Sequence, residues 1–178
     1  FIFYKLNQDR KMCWIIENEN KELITISIGS NISNINLLNH KYDGKSISGK
    51  QNRDSIVNTA LLYLHSPYLW GGKTPFGIDC SGFTQMVYKI NGYKLLRDAK
   101  DQATQGETLS FIEESEPGDL AFFHNKEDVI VHVGIILMDN HIIHASGKVR
   151  IDRLDQTGIY NNEKNTHTHY LRYIKKII

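Results

Sequence analysis

The chain changes character at the turn signal Pro117-Gly118-Asp119, and that change sets its fold class. Before it, apolar residues recur at helical spacing. Ile56, Ala60, Leu61 and Leu64 mark one face of a helix over 53–65, and Phe83, Met86, Val87 and Ile90 mark the buried face of a second. Asp54 or Ser55 is the expected cap of the first helix, which Pro67 ends, and Asp79 or Ser81 is the expected cap of the second. After the turn at Asn91-Gly92, Asp98 is placed to cap a short helix through Thr104. Beyond residue 119, β-branched and aromatic runs replace the helical period. Strands are expected over 120–124, 130–138, 141–146, 149–154 and 168–174, with 130–146 forming a hairpin. Helices followed by an antiparallel meander make an α+β arrangement.

The first 38 residues hold only short β-prone runs, at 1–6, 13–16 and 23–28, too little for an independent barrel. Residues 39–53 are polar and contain glycine, the composition of a linker. We therefore divide the chain into a β-rich segment over 1–50 and a main domain over 51–178. With 178 residues, 40% of them hydrophobic, the chain is long enough to bury a real core. A formal charge of +1 gives no single-signed field and so points neither to nucleic acid nor to an anionic membrane surface, and no nucleic-acid partner is expected. No run approaches the roughly 18–20 apolar residues of a membrane-spanning helix, and Phe1-Ile2-Phe3-Tyr4-Lys5 lacks the pattern of a signal peptide. Because the chain begins with Phe, a preceding segment is expected to have been removed, any export signal with it. A monomer is expected.

Cys13 and Cys80 are the only two cysteines, and both are expected to be reduced. Cys13, beside Trp14 and two isoleucines, reads as core. Cys80 stands at the first turn of the second helix, preceded by the aromatic and glycine-rich loop Tyr68-Leu69-Trp70-Gly71-Gly72. A thiol at a helix N-terminus near an imidazolium can fall from a pKa of about 8.5 to roughly 3.5–7.5, which makes it a nucleophile at neutral pH. Its partners lie in the second half. His132 and His144 occupy the two arms of the expected hairpin, and the strand period of two puts them on one face only if the loop has an odd number of residues. With Met138, Asp139 and Asn140 as a three-residue loop, His144 stands opposite Gly134 and diagonal to His132. Cys80 as nucleophile, His132 as base and His144 as orienting group then suffice for covalent catalysis. Zinc held by Cys80, His132 and His144 is a weaker reading, since no CxxC or HExxH spacing supports it. Ser81 lacks the G-x-S-x-G elbow of a serine hydrolase. No metal or other cofactor is expected.

The five segments Tyr68-Leu69-Trp70-Gly71-Gly72, Asp79-Cys80-Ser81-Gly82-Phe83, Pro117-Gly118-Asp119-Leu120, His132-Val133-Gly134-Ile135 and Ile143-His144-Ala145-Ser146 resemble, in order and spacing, the successive motifs of the NlpC/P60 cysteine peptidases. The resemblance covers residues 53–178. It implies a papain-like core and a triad of Cys80, His132 and His144. It also implies hydrolysis of the bond between γ-D-glutamate and meso-diaminopimelate or lysine in bacterial cell-wall peptides. Tyr68 is then expected near the oxyanion, whose other donor is the backbone N–H of Cys80. The N-terminal strands resemble a partial SH3-like domain of the subset that accepts only stem peptides with a free L-alanine. Trp70, Asp79, Ser81 and Asp98 are the expected substrate contacts, although Ala99 follows Asp98 where that subset has Ser. The implied partner is the stem peptide L-Ala-γ-D-Glu-diamino acid, and the implied location is the bacterial cell envelope or exterior. Another papain-like amidase or acyltransferase, or a murein-binding module with an idle triad, are the competing readings.

Overall fold

The computed structural model describes residues 12–44 and 46–178. The strand expected over 1–6 lies outside them. At the N-terminal end, β1 (Cys13–Glu17), β2 (Leu23–Ser27) and β3 (Lys41–Tyr42) form an antiparallel sheet in the order β2-β1-β3. The polar stretch read as linker therefore gives residues 41 and 42 to this sheet, where they pair with Glu17 and Ile16. Met12 and Trp14 pack on the main core, and Ile28 is buried in it. Lys89 also donates to the Gly29 carbonyl at 3.0 Å. This sheet thus leans on the helix that carries the thiol.

That helix is α2 (Cys80–Ile90), preceded by α1 (Arg53–Leu62) and the two-strand ribbon β4 (Lys73–Thr74) and β5 (Gly77–Ile78). The cap of α1 is Asn52, not Asp54 or Ser55. Its side chain accepts from the Ser55 amide, the bond an N-cap needs, while Asp54 already lies inside the first turn. The helix stops short of His65, which takes a left-handed φ of 71° ahead of Pro67. Asp79 caps α2 by accepting from the Gly82 amide. Asp98 stands at the N-cap of α3 (Ala99–Gln102) but makes no side-chain cap bond, so its exposed carboxylate is not used there.

The second half forms one antiparallel sheet. It comprises β6 (Glu107–Leu109), β7 (Leu120–His124), β8 (Ile130–Leu137), β9 (His141–Ser146), β10 (Lys148–Leu154), β11 (Gly158–Asn161) and β12 (Thr166–Lys176). The order is β11-β10-β9-β8-β7-β12-β6, and β11 also pairs with β12, so the six strands β7 to β12 close on themselves as a small barrel. Strand alternation then divides the apolar residues between two cores. Leu120, Phe122, Val133, Ile135, Ile143 and Val149 face α1 and α2. Ala121, Phe123, Ile136, Ile142, Leu154 and Ile159 fill the barrel.

The β8–β9 hairpin has the three-residue loop 138–140, with Asp139 and Asn140 both at φ 56°. Its register pairs Leu137 with His141 and Gly134 with His144. Gly134 is needed for space and not for conformation: a Cβ there would lie 2.9 Å from the His144 Cβ and 2.7 Å from Ile142 Cδ1. Gly134→Ala should therefore push His144 aside and destabilise the fold by about 1–3 kcal/mol. Urea unfolding and turnover measured together should both fall.

Candidate active site

Packing of the barrel against α2 brings Cys80 against the strand that carries His132, and the hairpin register sets His144 beside His132. Cys80 is the first residue of α2 and is 8% exposed. His132 and His144, both buried, project from the barrel side of β8 and β9. The Val133 amide, next to His132, points at the sulfur, as do the amides of Ser81 and of Cys80 itself. His132 Nε2 lies 2.9 Å from His144 Nδ1, and His144 Nε2 lies 3.0 Å from Asp152 Oδ2.

This chain of contacts determines the tautomers. Asp152 only accepts, so His144 donates from Nε2 and offers a lone pair at Nδ1. His132 must then donate from Nε2, which leaves its Nδ1 as the free lone pair. Asp152 is clamped in turn by Arg150, whose Nε and second terminal nitrogen donate at 2.7 and 2.9 Å, and Arg150 also bonds Glu163. Sequence reasoning singled out none of these three. The usable signal was strand alternation: Arg150 pairs with His144 across β9 and β10, so Asp152 shares its face one diagonal away.

His169, also missed, completes a histidine cluster. It stacks on His132 with centroids 4.1 Å apart and planes 26° apart, and it meets His144 edge-on. Burial lowers the pKa of all three imidazoles. For His132 the effect is strongest, reinforced by the two neighbouring imidazoles, and His169 is lowered to about 4. Burial also raises the Cys80 thiol, and Asp79 adds to the rise against the three amides that lower it. Thiol and imidazole therefore both rest neutral, and the thiolate that the helix end alone leads one to expect is not favoured. Burial outweighs the helix terminus.

A stability prediction follows from the same shifts. The unfolded chain protonates these histidines near pH 6.5, whereas the folded protein resists, so stability rises with pH across that window. The His169 contribution is complete above pH 6.5 and lost as pH falls through about 4, and it amounts to at most about 3 kcal/mol. Urea midpoints should drop between pH 7.5 and 5, and drop less in His169→Phe.

Asp79 and Ser81, expected as substrate contacts, are engaged internally. Asp79, 6% exposed, accepts from the amides of Gly71 (2.8 Å) and Gly82 (2.6 Å) and from both terminal nitrogens of Arg97 (2.6 and 3.1 Å). Ser81 Oγ accepts from Arg97 at 2.9 Å. A carboxylate holding four donors has no lone pair left for an incoming ammonium. These two residues thus fix the loop at Gly71 to the helix that carries Cys80, and Arg97, assigned no role from sequence, is the third member. Gly82 belongs to the same packing, since a Cβ on it would collide with the Gly72 carbonyl. Tyr68 is partly buried, and its hydroxyl pKa is raised by burial and by the charges of Cys80 and Asp79. Trp70 is 85% exposed and lies outside the Asp79–Arg97 network. The exposed Asp98 carboxylate contributes to the field at Arg97.

Comparison with known proteins accords with this geometry. The NlpC/P60 family model matches residues 65–168, which include Cys80, both hairpin histidines and Asp152. The chain belongs to the NlpC/P60 family. This NlpC/P60 chain is 40% identical, over 119 residues, to a γ-D-glutamyl-L-lysine dipeptidyl-peptidase of Bacillus subtilis, a match covering 64% of this chain and 40% of that protein. It is 38% identical over 109 residues to dipeptidyl-peptidase 6 of Lysinibacillus sphaericus, covering 58% of this chain and 37% of the relative. The matched regions thus span less than half the length of these relatives. Among solved structures, the NlpC/P60 domain of the peptidoglycan hydrolase SagA is 28% identical, with a TM-score of 0.56 over 71% of this chain and 99% of that one. A Bacillus cereus NlpC/P60 family protein shares the fold, with a TM-score of 0.70 at 22% identity over 94% of this chain and 61% of that chain.

Proposed function

We propose that this NlpC/P60 chain is a cysteine peptidase that hydrolyses the γ-D-glutamyl bond to the diamino acid in bacterial cell-wall peptides. The observation that carries the reading is the tautomer chain from Asp152 through His144 to His132, which leaves one basic lone pair, Nδ1 of His132. Cys80 transfers its proton to that nitrogen as the sulfur attacks the γ-carbonyl carbon. The oxyanion is met by the Cys80 amide and the Tyr68 hydroxyl. His132 then returns the proton to the departing diamino-acid amine, leaving a thioester. Water, deprotonated by His132, hydrolyses it and restores the thiol. His144 shares the positive charge that His132 gains, and Asp152 supports His144.

The name borne by the Bacillus subtilis relative supports the γ-D-glutamyl bond as target. For a free α-ammonium, Asp98 is the carboxylate with unused capacity, because Asp79 is saturated. The test is to offer L-Ala-γ-D-Glu-meso-diaminopimelate, its lysine analogue and an N-acetylated form to the protein and to Cys80→Ala. Release of L-Ala-D-Glu by the intact protein alone supports the reading. Preference for the free amine, reduced in Asp98→Asn, supports the role of Asp98. Absence of cleavage of any of these peptides would overturn the assignment.

A further inference from the structure

The mechanism uses two of the imidazoles at the end of the barrel and leaves His169 without a task. One ring nitrogen from each of His132, His144 and His169 lies within 4.8 Å of the other two, and the His132–His144 pair is at 2.9 Å. In a tetrahedral zinc site with Zn–N bonds of about 2.0–2.1 Å, ligand nitrogens stand about 3.4 Å apart. The cluster is thus compact enough for all three nitrogens to reach one ion after small ring rotations. Three imidazoles without carboxylate or thiolate favour zinc and its neighbours in the transition series over magnesium or calcium.

The surroundings also suit a metal. His144 already donates its other nitrogen to Asp152, the carboxylate–histidine arrangement that orients metal ligands, and Arg150 fixes that carboxylate. His169 Nδ1 is bonded to Thr168 Oγ1 at 2.9 Å, which leaves its other nitrogen free. Coordination must turn His169 out of its stack on His132, and its partly exposed position leaves room for that turn.

We propose that His132, His144 and His169 form a three-imidazole site for a divalent transition-metal ion, and that filling it switches the peptidase off. His144 coordinates through Nδ1 and keeps its bond to Asp152. A neutral His132 coordinates through Nε2 only as the Nδ1–H tautomer, so its single proton moves from Nε2 to the nitrogen facing the thiol. No proton is gained or lost, and the lone pair that would accept the thiol proton is consumed. Metal binding stands on geometry alone, whereas the switching half rests on the peptidase reading above.

The two halves are separable by experiment. Zinc chloride is titrated calorimetrically into Cys80→Ala protein, which cannot bind metal through a thiolate. One zinc ion per chain is expected, with affinity reduced at least about 100-fold when His169→Phe is added and about 10- to 100-fold when Asp152→Asn is added. Thermal unfolding of each variant verifies that it is folded, and Asp152→Asn serves if His169→Phe is not. Cobalt in the protein with Cys80 intact should give ligand-field bands without a thiolate charge-transfer band. Zinc that fails to bind Cys80→Ala, or an affinity indifferent to His169 and Asp152, would overturn the site. Zinc that binds Cys80→Ala but leaves peptide cleavage by the protein with Cys80 intact unchanged would overturn the switch alone.

Discussion

His132→Gln should lower kcat/KM by about 10²–10⁴-fold, and the residual activity should climb with pH where the parent's does not. Glutamine has no basic lone pair, so the sulfur must lose its proton to solvent. Because burial raises the Cys80 thiol, little thiolate exists at neutral pH, and its fraction grows tenfold per pH unit until the thiol titrates. In the parent, the proposed mechanism has His132 remove the proton during attack. Its lowered pKa keeps it unprotonated, so the acid limb of the parent profile should lie well below pH 6.5. Stopped assays of both proteins across pH 5–10 check the pair of slopes. Parallel profiles would show that His132 is not the base.

Asp152→Asn should cost about 10²–10⁴-fold in kcat with KM nearly unchanged, since the buried Asp152 reaches the reaction through the tautomer it imposes on His144. In the parent its two oxygens accept from Arg150 and from His144, so both must be acceptors. An asparagine cannot satisfy this. If its NH₂ faces His144, that ring must accept at Nε2 and donate at Nδ1, and His132 is forced into the tautomer with a proton on Nδ1. With the NH₂ on the other side it meets the second terminal nitrogen of Arg150, and in both orientations one Arg150 donor is opposed and the clamp opens. The first outcome removes the lone pair that accepts the thiol proton and the second leaves its ring poorly held, and Asp152→Glu should not rescue activity, because the added methylene displaces the carboxylate from both partners. Steady-state kinetics with the tripeptide separate kcat from KM, and urea unfolding accounts for any loss of folded protein.

What the sequence discloses about this site depends on whether the relevant contact is local. The helix under Cys80 and its Asp79 cap are written in consecutive residues, and the hairpin register follows from a loop of three residues, so His132 and His144 are placed together by counting. Asp152 needs one more register, across the turn at Gly147, and His169 needs the barrel to close through β11 and β12, with a shift in register between Ile159 and Tyr160. No local pattern predicts that closure. Arg97 is likewise separated from Asp79 by the whole of α2. Short elements were missed for a related reason: β4, β5 and β6 are two or three residues long, and the polar residues of β3 pair only because β1 is beside them. The thiol's electrostatics were misjudged because a helix end is visible in sequence, whereas the packing of Val133 and the core over Cys80 is not.

The central claim is that Cys80 carries the acyl group of a γ-D-glutamyl peptide. The most direct measurement is mass spectrometry of the protein acid-quenched during turnover of L-Ala-γ-D-Glu-meso-diaminopimelate and digested at low pH to preserve a thioester. The account predicts an L-Ala-γ-D-Glu adduct on the peptide containing Cys80, accumulating in proportion as hydrolysis is slowed and absent from Cys80→Ala. Release of L-Ala-D-Glu by Cys80→Ala at the parent's rate, or an adduct on any other residue, would contradict it.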